Sequence, residues 1–100
     1  MLPPDHARQT ALIAKAHNRR GDCLLILGHP AEALQAYNIS IPLDLADSYP
    51  IFNRGRAQLK LGNKDAAKAD FTTAADPKFN QPKARKLAVA ALAELAANPP

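Results

Sequence analysis

Apolar positions recur with a helical period along this chain, and no stretch alternates as a strand would. From His6 to Leu27 no proline intervenes, and Leu12, Ala16, Leu24 and Leu27 keep helical spacing; one long helix is predicted there, with Gly28 as its stop. Pro3, Pro4 and Asp5 read as its leader and cap. Pro30 fits the first turn of a second helix, with Glu32 at the positive end of its dipole; Ala33, Leu34, Tyr37 and Ile41 make its apolar stripe and Pro42 ends it. Asp47 or Ser48 caps a third helix that holds Pro50 in its first turn and stops at Gly62. Asn63 caps a fourth, carrying Ala67, Phe71 and Ala74 ahead of Asp76-Pro77. Asn80 caps a fifth, with Pro82 early in it and Asn98-Pro99-Pro100 as its stop. Five helices joined by short loops predict an all-α fold of antiparallel hairpins.

The third and fourth helices repeat the end of the first and the second. Sliding Ala14–Asp47 onto Ser48–Gln81 places Arg20 on Arg54, Gly21 on Gly55, Leu25 on Leu59, Leu27 on Leu61, Gly28 on Gly62 and Ala33 on Ala67. Tyr37 meets Phe71 and Ser40 meets Ala74, and all four glycines of the chain are paired by the shift. A fixed period of this length marks stacked supersecondary units. The repeats are expected at about 14–47 and 48–79 of a single domain, 1–100, with the last helix, about 81–97, as a cap. That helix has Glu94 as its one charge from Leu87 to Ala97, which suits burial. Leu87, Ala91 and Leu95 are expected to face Phe71 and Ala74, leaving Val89, Leu92 or Ala93 as a second face for a homodimer or a larger partner.

Composition narrows the chemistry. Alanine-rich apolar content with 5% aromatics and no Trp suits closely packed helices better than a sandwich. The formal charge of +4 favours acidic partners without specifying nucleic acid, and no aromatic interleaves Lys83, Arg85 and Lys86 to stack on bases. Cys23 is alone, so no internal disulfide forms; it lies in the apolar run Cys23-Leu24-Leu25-Ile26-Leu27 as a small hydrophobe, with no neighbouring base to activate it. His6, His17 and His29 lack the i, i+3 or i, i+4 spacing of helical metal ligands. No phosphate loop, dinucleotide fingerprint or nucleophile elbow occurs, so neither catalysis nor a cofactor is expected. Met1-Leu2-Pro3-Pro4-Asp5 has neither the basic start nor the apolar core of a secretory signal, and no apolar run is long enough to span a membrane; the expected location is the cytoplasm.

The spacing of Gly21, Leu24, Gly28, Ala33 and Tyr37, matched by Gly55, Gly62, Ala67 and Phe71, resembles the tetratricopeptide repeat, a helix-turn-helix of about 34 residues. His17 and Ile51 replace its early aromatic, and Arg20 and Arg54 stand where Leu is usual. The resemblance implies hairpins stacked as a short right-handed superhelix, whose first helices line a groove for a peptide or helix of a protein partner. Carried onto this chain, that face comprises Lys15, Asn18, Arg19 and Asp22 from the first unit, and Tyr49, Phe52, Asn53, Arg56 and Lys60 from the second. Arg19, Arg56 and Lys60 would pair with acidic groups, Asn18 and Asn53 with peptide backbone, and Tyr49 or Phe52 would supply an apolar anchor. A carboxylate clamp of the kind that binds chaperone termini is not expected, because Asp22 would repel the carboxylate. The expected function is non-catalytic protein binding. The alternatives are a regulatory or substrate-positioning segment of a larger enzyme, such as a repeat-containing glycosyltransferase, and a self-associating scaffold.

Overall fold

The computed structural model describes residues 5–97. Its helices are α1 (His6–Ile26), α2 (Pro30–Leu43), α3 (Tyr49–Lys60), α4 (Lys64–Ala74) and α5 (Pro82–Ala97), with a 3-10 turn at Pro77–Phe79 and no strand among the described residues. The leader residues Pro3 and Pro4 and the stop Asn98-Pro99-Pro100 lie outside the described residues. α1 packs on α2 and α3 on α4 as hairpins; α2 joins the hairpins by lying against α3, and α4 carries α5.

Both hairpin turns are built alike. Gly28 at φ +84° and Gly62 at φ +83° take the left-handed conformation that side chains disfavour. In the first turn the His29 N–H donates to the Leu24 carbonyl at 2.8 Å and the Gly28 N–H to Leu25 at 3.1 Å. In the second, Asn63 donates to Gln58 at 2.8 Å and Gly62 to Leu59 at 3.0 Å, the same closure of the helix end.

Close approach inside each hairpin depends on the other two glycines. A Cβ at Gly21 would sit 2.6 Å from Tyr37 Cε1, and one at Gly55 2.6 Å from Phe71 Cε1. Tyr37 and Phe71, both fully buried, thus press their rings against a helix backbone, and Ala33 and Ala67 are buried on the same helices. The Ser40 hydroxyl, also buried, donates to the Ala14 carbonyl at 2.7 Å. Leu25, Ala33, Tyr37 and Ala57 form one core cluster and Ile51, Phe52, Ala67, Phe71, Ala74 and Ala88 the other; Ile41 packs against both.

Several local expectations are corrected. α2 includes Pro42 and ends one residue later, at Leu43; the proline leaves the Asn38 carbonyl without its helical N–H donor. The buried stripe of α1 is Ala14, Gly21 and Leu25, not Leu12, Ala16, Leu24 and Leu27; Leu12, Ala16 and Leu27 are exposed and Leu24 is half-buried. Small residues face α2 because the ring of Tyr37 fills the gap. Cys23 is exposed rather than packed as a hydrophobe. At the start of α3 the Asp47 carboxylate accepts from the Tyr49 N–H at 3.0 Å, while Ser48, fully buried, turns its hydroxyl 2.7 Å to Gln81 Oε1. Asn63 gives its amide to Gln58 Oε1 at 2.9 Å instead of capping α4. Asn80 is left-handed, φ 51°, and closes the 3-10 turn, so Gln81 directly precedes α5 and its carbonyl takes the Arg85 N–H.

α5 continues the period. A further shift by the same offset places Ala84 on Pro50, Ala88 on Arg54, Ala91 on Ala57 and Val89 on Gly55. Ala84 and Ala88 are fully buried, and Ala91, Leu92 and Leu95 pack onto the cluster containing Phe71 and Ala74. Leu87 is exposed instead of packed inward, and Leu92 belongs to this inner face; Val89 remains half-exposed at 53%.

Candidate peptide-binding groove

A groove of about 590 Å³ opens between α3 and α5. Phe52, Arg56, Leu59 and Lys60 line it from α3, Leu87, Ala90, Ala91 and Glu94 from α5, with Phe71 at its floor. Arg56 and Lys60 are exposed, whereas Phe52 is only 8% exposed, its ring centroid 5.5 Å from that of Phe71. Phe52 therefore belongs first to the core, and presents an edge to the groove.

Of the residues expected on the binding face, the groove brings together Phe52, Arg56 and Lys60. Asp22 and Asn53 are joined elsewhere. The Asn53 amide donates to Asp22 Oδ1 at 3.0 Å, and the Tyr37 hydroxyl donates to the same oxygen at 2.6 Å. Asn53, 7% exposed, thus ties α3 to α1 and its amide is not turned to a ligand backbone. Burial of Tyr37, then its bond to the Asp22 carboxylate and that carboxylate's charge, push the phenol well above its ordinary range. Lys15 and Arg19 are exposed on α1 and Tyr49 is half-buried at the start of α3, none of them lining this groove. Asn18 is half-buried with an amide oxygen that has no donor facing it.

Leu59, Leu87, Ala90, Ala91 and Glu94 were not anticipated in the groove. The signal for three of them lies in the offset: Leu87, Ala90 and Glu94 fall one repeat after Asn53, Arg56 and Lys60. Two stabilising pairs frame the site from behind. Arg54 donates to both carboxylate oxygens of Asp70, at 2.8 and 3.0 Å, and to Asn38 Oδ1 at 3.1 Å, linking α2, α3 and α4. Gln81 Oε1 accepts from both the hydroxyl and the N–H of Ser48, fixing the start of α5 to the start of α3.

No group of three or more His, Cys, Asp and Glu side chains converges as a metal site among the described residues. No helix of these residues is long and apolar enough to cross a membrane.

The fold and groove define a helical-hairpin repeat protein. The model of one family, the tetratricopeptide repeat, matches residues 50–76, the span of α3 and α4, and this hairpin is a tetratricopeptide-like repeat. No curated protein and no solved structure matches the chain. Tetratricopeptide repeats are generally protein–protein interaction modules and typically non-catalytic.

Proposed function

We propose that this chain is a non-catalytic binding module that receives an acidic peptide or helix of a partner protein in the groove between α3 and α5. The observation that carries this reading is the composition of the groove walls. Equivalent positions of successive units, Arg56 with Ala90 and Lys60 with Glu94, face one channel whose α3 wall is cationic and whose α5 wall is mainly apolar. An acidic side chain pairs with Arg56 or Lys60, while neighbouring apolar side chains settle against Leu59, Leu87 and the edge of Phe52. Asn18 extends the face along α1. Residues 14–47 and 48–79 act as two repeats of one domain, and α5 covers the apolar end of the second.

Two hairpins bury little partner surface, so affinity in the micromolar range is expected. Peptides selected against the chain from a random dodecapeptide display library should be enriched in Asp and Glu. Arg56→Glu should weaken the selected peptides roughly tenfold, the equivalent of one charge-assisted hydrogen bond, with an unchanged far-UV spectrum. Equal affinity for both variants refutes the groove assignment.

A further inference from the structure

We propose that the outer face of α1 is a second interaction surface, built to receive an amphipathic helix with apolar residues flanking a central carboxylate. The inference goes beyond the groove, from which this face is separate.

The two later helices of the same register show what such a face accepts. On α3, Pro50 and Ala57 are fully buried where α2 lies across them, and Arg54 reaches Asn38 on α2 at 3.1 Å. On α5, Ala84 and Ala88 at the corresponding positions are fully buried under α4. One repeat before α3, the same positions on α1 are Ala16, Arg20 and Cys23. All three are exposed. Leu12 and Ile13, exposed at 60% and 52%, and Leu27 at 70% extend the same side of the helix. So large an apolar surface on one helix marks an interaction site.

Arg20 decides the chemistry of the occupant. Its counterpart Arg54 is held by Asp70, but the residue of α2 equivalent to Asp70 is Ala36, so the first hairpin supplies Arg20 with no carboxylate. The charge is left for the incoming helix, where a carboxylate at the place of Asn38 would meet it. A second copy of the chain is disfavoured. Antiparallel pairing of two α1 faces would bring Arg19 and Arg20 near the centre against their own copies, and the outer side of α5 carries Arg85 and Lys86 beside Val89.

Cys23 lies in the middle of the face, exposed and the chain's one cysteine, so its alkylation reports occupancy directly. The probe is a synthetic Pro30–Leu43 peptide, side-chain bridged through positions 35 and 39 to hold it helical, in its natural form and as N38D. With the full chain, saturating N38D peptide should slow reaction of Cys23 with iodoacetamide about tenfold. It should bind roughly tenfold more tightly than the natural peptide, one charge-assisted hydrogen bond's equivalent. Arg20→Glu should abolish that preference, Ala16→Glu should remove protection altogether, and Arg56→Glu should change neither. Three results overturn the proposal: an unchanged alkylation rate up to about 1 mM peptide, an N38D preference that survives Arg20→Glu, or protection that rises with protein concentration without peptide, which assigns the face to a second copy. Loss of groove binding in the Arg56 variant with Cys23 protection intact separates the two readings.

Discussion

Gly55→Leu tests the contact on which the second hairpin closes. The new Cβ would stand 2.6, 2.8 and 3.1 Å from three atoms of the Phe71 ring, and ordinary contact begins near 3.4 Å, so the ring must retreat by about 0.8 Å at its nearest atom. It has little room to do so, being fully buried with Phe52 against it. Overpacking of this kind costs about 1–3 kcal/mol, and the remaining carbons of the leucine add to it. Against this stands about 0.8 kcal/mol from replacing glycine in a helix interior. A net loss of about 1–2 kcal/mol should lower the thermal midpoint by about 5–15 °C for a domain of this size, read by circular dichroism at 222 nm. The cause is separable from a general intolerance of α3. In a Phe71→Leu background the same substitution should cost less by about 1 kcal/mol or more, since the colliding ring is gone. Gly62→Ala is the control, for it meets nothing within 4 Å and is strained only through its backbone at φ +83°. A midpoint unmoved by Gly55→Leu, or equal losses with and without the Phe71 ring, would refute the reasoning.

Three further outcomes follow from the polar contacts. The raised Tyr37 phenol favours its protonated form in the folded state, so its contribution is complete below the ordinary value of 10.0 and is lost as pH rises above it; Tyr37→Phe should flatten the fall of urea midpoint on the alkaline side. Arg54→Lys should fail to restore the stability lost in Arg54→Ala, about 1–3 kcal/mol by urea denaturation, because one ammonium cannot reproduce the paired bonds to Asp70 and the third to Asn38. Gln81→Ala leaves the buried Ser48 hydroxyl and N–H without their acceptor, costing about 1–3 kcal/mol, and amide exchange should quicken in α5 before α1 or α2.

The features legible in the sequence are those where one backbone position admits one residue type. Gly28 and Gly62 mark left-handed turns, and Gly21 and Gly55 mark places where an aromatic ring lies on a helix, so the hairpins could be drawn from spacing alone. The direction of α1 was not legible by the same route. Weighting large apolar side chains points to Leu12 and Leu27, yet the buried face is made of Ala14, Gly21 and Leu25, because a neighbour as bulky as Tyr37 selects small partners. Asn53 and Asp22 look like ligand groups on a helix face, and only the position of α1 relative to α3 shows that they bind each other. Leu87 was placed inward by the apolar character of α5 as a whole; carrying the repeat offset one step further would have put it beside the groove with Ala90 and Glu94.

Val89 gives the fold a direction of growth. It stands where Gly21 and Gly55 stand in the earlier helices, and both of those accept a ring at a distance no side chain tolerates. A helix folding back over α5, as α4 folds over α3, would find that seat already filled. A longer version of this protein, made by copying Ser48–Gln81, therefore has to take the copy between α4 and α5, where each insertion adds one rung to the groove while the same helix still closes the stack.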